Sequence, residues 1–209
     1  LMGQETPSVL ANKIVDAIKT ESNPDGLFLH PGSKQYQHLC FTGGEPLMVT
    51  GQAASMGIYK ALKDKNNLPK SMTFETNGTQ KLKEPFKQWI KDIPEEIFFS
   101  VSPKLFTVSG EKTEKAIKPE NVAEYTECSD RGQLKFVVGS ADREWDEMES
   151  TVEKFRNAGV SWPVWIMPTG AREEEQTETA GKVAEKAFKK GYNVAARVHV
   201  YLFGNAIGT

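Results

Sequence analysis

The sequence predicts an α/β fold with a mostly parallel sheet, because short apolar runs alternate with amphipathic helical segments along its 209 residues. This length suits one domain or a modest barrel, so residues 1–209 are interpreted as a single domain. No internal repeat or low-complexity tract interrupts the alternation. In such a fold, ligands are expected beyond the carboxyl ends of the strands.

The chain is predicted to begin with a helix and a long loop. Thr6 and Pro7 have the pattern of an N-cap followed by proline at the first helical position. An apolar face then extends to about Thr20, which predicts an amphipathic helix. The following residues, 21–37, contain Asn-Pro-Asp-Gly and Pro-Gly sequences and are therefore predicted to form a loop.

The rest of the chain alternates between strands and helices. Gly191 is predicted to end the last long helix as a C-cap. A helix is predicted at about 52–65, and the clearest helices are predicted at 142–158 and 173–190. Strands are predicted at 38–42, 71–75, 96–101, 134–138, 164–167 and 194–200.

Composition excludes several functional classes. The net charge is −2, with basic and acidic residues interspersed, so no nucleic-acid partner is expected. No apolar run is long enough to span a membrane and no signal peptide is recognisable, which predicts a soluble cytoplasmic protein without a membrane partner. Cys40 and Cys128 are distant in sequence, which indicates neither a disulfide framework nor a metal cluster. Cys40 is expected to be a buried strand residue.

The most informative motif is Gly43-Gly44-Glu45-Pro46, directly after the strand at 38–42. Because glycine has no side chain, the main chain of Gly43 and Gly44 can approach a ligand closely. Glu45 can accept a charge-assisted hydrogen bond from an ammonium group. This combination suits the methionine moiety of S-adenosylmethionine. The alternative is an ordinary glycine-rich turn between a strand and a helix.

Residues that could contact a ligand also lie at the ends of three other predicted strands. Glu75 could bind a ribose diol, although it could equally cap the next element beside the Asn77-Gly78 turn. The sequence Ser102-Pro103-Lys104 offers a hydroxyl and a cation, but it could be a rigid loop with a solvated lysine. Met167 offers an apolar surface for adenine, but alone it would be read as a core residue.

Taken together, the sequences FTGGEPLM, FETNGT, SVSPKL, LKFVV, WIMPTG and RVHVYLFGN resemble the 7-carboxy-7-deazaguanine synthase family of the radical S-adenosylmethionine superfamily. The resemblance extends from about residue 6 to the last residue and implies a partial (βα) barrel. It places Gly43, Gly44 and Glu45 at the methionine end of the cofactor. The other cofactor residues it implies are Glu75, Ser102, Pro103, Lys104 and Met167.

The resemblance also implies substrate contacts. Thr42 and the C-terminal Thr209 match positions that contact the substrate in the family. His199, within Arg197-Val198-His199, is a further substrate candidate, although a strand histidine can be a purely structural polar residue.

The chain departs from the family in one respect. Such enzymes bind a [4Fe-4S] cluster through three cysteines, and Cys40 is the only cysteine before Gly43. We therefore expect the first strand, the cluster cysteines and a magnesium ligand in an N-terminal segment absent from this sequence, and we assign no metal ligand within it. The implied cofactors are S-adenosylmethionine, the [4Fe-4S] cluster and Mg²⁺.

The implied activity is that of a lyase. It removes a hydrogen atom from 6-carboxy-5,6,7,8-tetrahydropterin and forms 7-carboxy-7-deazaguanine by ring contraction with loss of ammonia, in queuosine-type deazapurine biosynthesis. The expected partners are the pterin, an electron donor such as flavodoxin, and a second copy in a homodimer. Two alternatives stay open: another radical enzyme of this superfamily, such as a glycyl-radical activating enzyme, and a non-catalytic binding relative.

Overall fold

The computed structural model describes residues 5–170 and 173–204. These residues divide into two compact units. The first comprises residues 5–75 and 80–99, and the second comprises 76–79, 100–170 and 173–204. Among the helices within this part of the chain, none is both long and apolar enough to cross a membrane.

The first unit contains the amino-terminal helices and strands. Helix α1 begins as predicted: the Thr6 hydroxyl accepts a hydrogen bond from Val9 N at 3.4 Å, and Pro7 is the first helical residue. Strands β1 and β2 are parallel neighbours, with Leu39 opposite Met72 and Phe41 opposite Phe74. The elements are α1 (Pro7–Ala17), β1 (Leu39–Phe41), α2 (Val49–Asp64), β2 (Ser71–Thr76), α3 (Glu84–Asp92) and β3 (Glu96–Val101), whose last two residues lie in the second unit.

One face of β1 and β2 contributes to the core of the first unit. Phe74 is fully buried, and its ring lies 4.9 Å from that of Phe41 and 5.4 Å from that of Phe86 on α3. Because successive strand residues point to opposite faces, Cys40 lies on the other face, opposite Thr73. Cys40 is exposed, so the expectation that it is buried was wrong.

The loop predicted at 21–37 is present and is held by buried amides. The Asn23 side chain donates to Ile18 O and accepts from Leu27 N, while that of Asn67 accepts from Phe28 N at 2.8 Å. These bonds satisfy main-chain groups that a loop otherwise leaves unpaired, so the segment is ordered without regular secondary structure.

The second unit repeats the parallel arrangement. Strand β4 pairs with β5 from Leu134↔Val164 to Val138↔Pro168, and β5 pairs with β6 at Trp165↔Asn193 and Ile166↔Val194. Its elements are α4 (Phe106–Ser109), α5 (Thr113–Ala116), α6 (Pro119–Thr126), β4 (Gly132–Val138), α7 (Asp142–Asn157), β5 (Val164–Pro168), α8 (Glu173–Lys189), β6 (Asn193–Val194) and α9 (Val198–Phe203). Gly191, with φ 76°, follows α8 as predicted.

The strand predicted at 194–200 was wrong for most of its length. Pairing with β5 ends where Ala195 N donates to Ile166 O at 2.8 Å, and residues from Val198 onward form α9. The next main-chain donor from β5 to β6 would be the N–H of residue 168, two positions after Ile166. That residue is a proline and has no N–H. The sheet therefore lacks the next donor, and the chain leaves it.

Candidate functional site

The Gly43-Gly44 turn follows β1 and has the conformation that requires glycine. Both residues have positive φ, 80° at Gly43 and 58° at Gly44. A Cβ added to either residue would meet no atom within 4 Å. The turn's main chain therefore borders open space, as a ligand-binding turn requires, and other residues would strain the backbone there.

The rest of this turn is tightly held. The Glu45 carboxylate accepts a hydrogen bond from Leu47 N at 3.0 Å, and Leu47 is fully buried. At the start of α2, a Cβ on Gly51 would lie 2.2 Å from Pro46 O, so only glycine allows the helix to pack this closely against the turn. Glu45 is thus fixed by the backbone at the end of the open segment.

Thr42 directly follows β1, Glu75 is the penultimate residue of the parallel strand β2, and the two residues meet at this edge of the first unit. The Thr42 hydroxyl donates to Glu75 Oε2 at 3.2 Å, and both residues are exposed. A predicted substrate residue and a predicted ribose residue are therefore in direct contact. Their exposure leaves both accessible to a ligand approaching the carboxyl ends of β1 and β2.

A second polar contact lies at the amino-terminal end of the same pair of strands. His38 bridges two hydroxyls of β2: its Nδ1 is 2.8 Å from Ser71 Oγ, and its Nε2 is 2.7 Å from Thr73 Oγ1. Partial burial lowers the pKa of His38, because desolvation disfavours the charged imidazole. This bridge couples the beginning of β1 to β2.

In the second unit, the predicted Ser102-Pro103-Lys104 segment follows β3. Ser102 N donates to Thr76 O at 2.7 Å, which connects the segment to the last residue of β2. Pro103 is buried, Ser102 is half-buried and Lys104 is exposed. The lysine is therefore the residue of this segment whose side chain reaches solvent.

The turn after β2, residues 77–79, is fixed by side chains. Thr79 N and Thr79 Oγ1 both donate to Asn77 Oδ1, and Asn121 of α6 donates to Thr79 O at 2.8 Å. Asn77-Gly78 is thus the turn that the sequence indicated, and it supports the start of the Ser102 segment.

Met167 lies in β5, half-buried, opposite Val137. The sequence did not single out Gly139, which directly follows β4. Gly139 N donates to Glu144 of α7, and an added Cβ would lie 2.7 Å from Glu144 Oε2 and 3.1 Å from Thr169 Oγ1. The sequence pattern that could have indicated Gly139 is a glycine directly after an apolar strand.

The remaining substrate candidates fall in or beyond the last helix. His199 belongs to α9 and not to a strand, so the alternative of a structural strand histidine does not apply, and its substrate role stays a prediction from the resemblance. Arg197 immediately precedes α9, and its buried Nε has no hydrogen-bond partner among the described residues. Thr209 lies outside the described residues.

The residues described by the structure contain no group of three or more His, Cys, Asp or Glu side chains that could hold a metal ion. The sequence contains two cysteines, fewer than the three thiolates by which the family binds a [4Fe-4S] cluster. The glycine turn and its neighbouring carboxylates, in contrast, fit a polar organic cofactor.

Comparison with known proteins supports the family resemblance. The chain is 26% identical over 183 residues to the 7-carboxy-7-deazaguanine synthase of Rhodopirellula baltica, covering 83% of this chain and 64% of that protein. It is 27% identical over 172 residues to the synthase of Pyrobaculum aerophilum, covering 82% and 67%. The chain therefore spans about two thirds of the length of these curated relatives. No protein-family model matches it.

Two solved structures share the fold. SuiB of Streptococcus suis bound to its precursor peptide SuiA has a TM-score of 0.55 and 10% identity, over 93% of this chain and 43% of that one. SuiB bound to S-adenosylmethionine has a TM-score of 0.53 and 11% identity, over 100% and 47%. The predicted α/β fold with a mostly parallel sheet is thereby confirmed.

Proposed function

We propose that this protein is a radical S-adenosylmethionine lyase that converts 6-carboxy-5,6,7,8-tetrahydropterin to 7-carboxy-7-deazaguanine. The observation that carries the proposal is the open Gly43-Gly44 turn, held by Glu45 and adjacent to the contact between Thr42 and Glu75. The choice of reaction is supported by the two curated relatives, which match more than four fifths of the chain.

The first unit supplies groups suited to the amino-acid end of S-adenosylmethionine. The main chain at Gly43 and Gly44 borders open space, so its polar groups can hydrogen-bond a carboxylate or an ammonium group. Glu45 supplies negative charge for the ammonium, while one of its oxygens stays bonded to Leu47 N. When bound, the cofactor supplies the radical chemistry that abstracts hydrogen.

Glu75 is proposed to bind the ribose. A carboxylate accepts two hydrogen bonds from a vicinal diol, and Glu75 already accepts one bond from Thr42 at the strand ends. The Thr42 hydroxyl can donate to Glu75 and still accept a hydrogen bond from a substrate N–H. In this proposal, a cofactor-binding carboxylate and a substrate-binding hydroxyl lie side by side in the first unit.

Other parts of the proposal rest on the resemblance. These are the cofactor roles of Ser102, Pro103, Lys104 and Met167, and the substrate roles of His199 and Thr209. The [4Fe-4S] cluster, Mg²⁺, a flavodoxin-type electron donor, a homodimer, a cytoplasmic location and a place in queuosine-type biosynthesis are likewise expectations from the resemblance.

A turnover assay tests the function. The full-length protein, purified anaerobically and reconstituted, is incubated with S-adenosylmethionine, a reductant and the pterin, and products are identified by mass spectrometry. We expect 7-carboxy-7-deazaguanine together with 5′-deoxyadenosine. Cofactor cleavage without conversion of the pterin would indicate another radical enzyme of this superfamily. Protein that binds no S-adenosylmethionine would contradict the proposal as a whole.

A further inference from the structure

The short helix α4 is held by a carboxylate from a helix about 40 residues away. Glu147 of α7 accepts three hydrogen bonds: from Phe106 N at 2.7 Å, from Thr107 N at 2.8 Å and from Thr107 Oγ1 at 2.6 Å. Both carboxylate oxygens take part. Charge-assisted bonds of this kind are about twice as strong as neutral ones.

The helix needs this external partner. Its N-cap position is Leu105, whose side chain has no acceptor, so α4 has no side-chain cap of its own. With only four residues, the helix is far shorter than a sequence that is stable alone. Glu147 therefore supplies the acceptor for the first N–H groups of α4 and fixes where the helix begins.

Glu147 itself lies on a rigid support. Met148 and Thr151 of α7 are buried, with exposed fractions of 0% and 1%, and the Trp145 indole donates to Gly139 O at 2.9 Å. These contacts anchor α7 against the rest of the second unit. A carboxylate held in this way can restrict the position of the segment that it binds.

We propose that Glu147 is a positioning residue for the Ser102-Pro103-Lys104 segment. Ser102 N is bonded to Thr76 O at one end, and Glu147 holds Phe106 and Thr107 at the other. Between them, Pro103 and Leu105 are buried, which leaves Lys104 as the outward-facing side chain. Through this double anchorage Glu147 restricts where the Lys104 ammonium can lie.

The consequence for binding rests on the cofactor role proposed for Lys104. If the lysine contacts S-adenosylmethionine, its affinity depends on how much freedom the segment loses on binding, and a pre-ordered segment loses less. Glu147 then affects cofactor affinity without touching the cofactor.

The first test measures order of the segment without any ligand. Hydrogen exchange is followed by mass spectrometry on peptides covering residues 101–108 in the full-length protein, comparing wild type with Glu147→Ala and Glu147→Gln. We expect amides of this segment to exchange about tenfold faster in the alanine variant, and less so in the glutamine variant, which keeps one acceptor oxygen. Unchanged exchange in Glu147→Ala would overturn the proposal.

The second test asks whether Glu147 acts through Lys104. Affinity for S-adenosylmethionine is measured by calorimetry on the reconstituted protein for Lys104→Ala, Glu147→Ala and the double variant. We expect the double variant to bind about as weakly as Lys104→Ala alone, which is the non-additivity of residues acting as one unit. Fully additive losses would show that Glu147 does not act through the lysine.

The matched control is Glu149→Gln. Glu149→Gln removes a charge from the same helix and breaks an ion pair with Lys190 at 2.6 Å, so exchange at 101–108 should stay as in wild type. If Lys104→Ala binds the cofactor normally while Glu147→Ala still loosens the segment, the cofactor role of Lys104 is overturned and so is the positioning of a cofactor group. Faster exchange at 101–108 in the control Glu149→Gln, as well as in Glu147→Ala, would also overturn the proposal.

Discussion

Thr42 Oγ1 donates a hydrogen bond to Glu75 Oε2 at 3.2 Å, which joins the residue that follows β1 to the penultimate residue of the parallel neighbour β2. This contact couples a residue proposed for the substrate to one proposed for the cofactor. A change in either residue therefore alters the hydrogen bonding of the other, and their functional effects should be interdependent.

Substitution of Gly44 should abolish cofactor binding. Gly44→Val puts a branched side chain into the open space beside the turn and strains a backbone with φ 58°. We expect no measurable S-adenosylmethionine affinity by titration calorimetry, with circular dichroism close to wild type. Gly159→Val is the control, since Gly159 also has positive φ and open space around its Cβ position but lies after α7. Equal affinity in both variants would remove the glycine turn from the site.

Glu75→Ala should weaken cofactor binding by about 1 to 3 kcal/mol, or roughly 5- to 150-fold, because a charge-assisted hydrogen bond is lost. The exposed Glu21→Ala provides a control for the loss of one negative charge. If Glu75→Ala destabilises the fold but the folded protein keeps its cofactor affinity, Glu75 is a structural residue.

Thr42→Val should raise the KM for the pterin more than the Kd for the cofactor.

The stability of the first unit should depend on pH through His38. Its pKa is lowered in the folded protein by desolvation, so the unfolded chain, with the ordinary value of 6.5, takes up the proton more readily. The contribution of the neutral imidazole is complete above the unfolded pKa and is lost as pH falls through 6.5 towards the folded pKa. Urea denaturation at several pH values should show a smaller loss in His38→Gln than in wild type. Identical pH profiles would contradict this role.

Deletion of residues 207–209 should raise the KM for the pterin strongly while leaving S-adenosylmethionine affinity near normal. This prediction comes from the resemblance, which places Thr209 at the substrate, and these residues lie outside those that the structure describes. Steady-state kinetics and calorimetry on the truncated protein measure the two effects separately. Unchanged pterin kinetics would show that the tail does not contact the substrate.

Local signals in the sequence were sufficient for most of the elements. The start of α1 was predictable from Thr6 and Pro7, because a cap and a proline act within a single turn of helix. Strand β3 has the predicted bounds, Glu96–Val101. The Gly43-Gly44 turn was also predictable, since adjacent glycines after an apolar strand indicate positive φ regardless of the surroundings.

Tertiary structure decided what depends on partners distant in sequence. The end of β6 depends on a proline in β5, and the exposure of Cys40 depends on which face of β1 packs against the core. The bond from Thr42 to Glu75 spans 33 residues, and those from Phe106 N and Thr107 N to Glu147 span 41 and 40. Sequence alone determined which residues form the elements and turns, because local backbone preferences extend over only a few residues. Which side chains meet was settled by strand pairing and helix packing, which bring together residues that share no local signal.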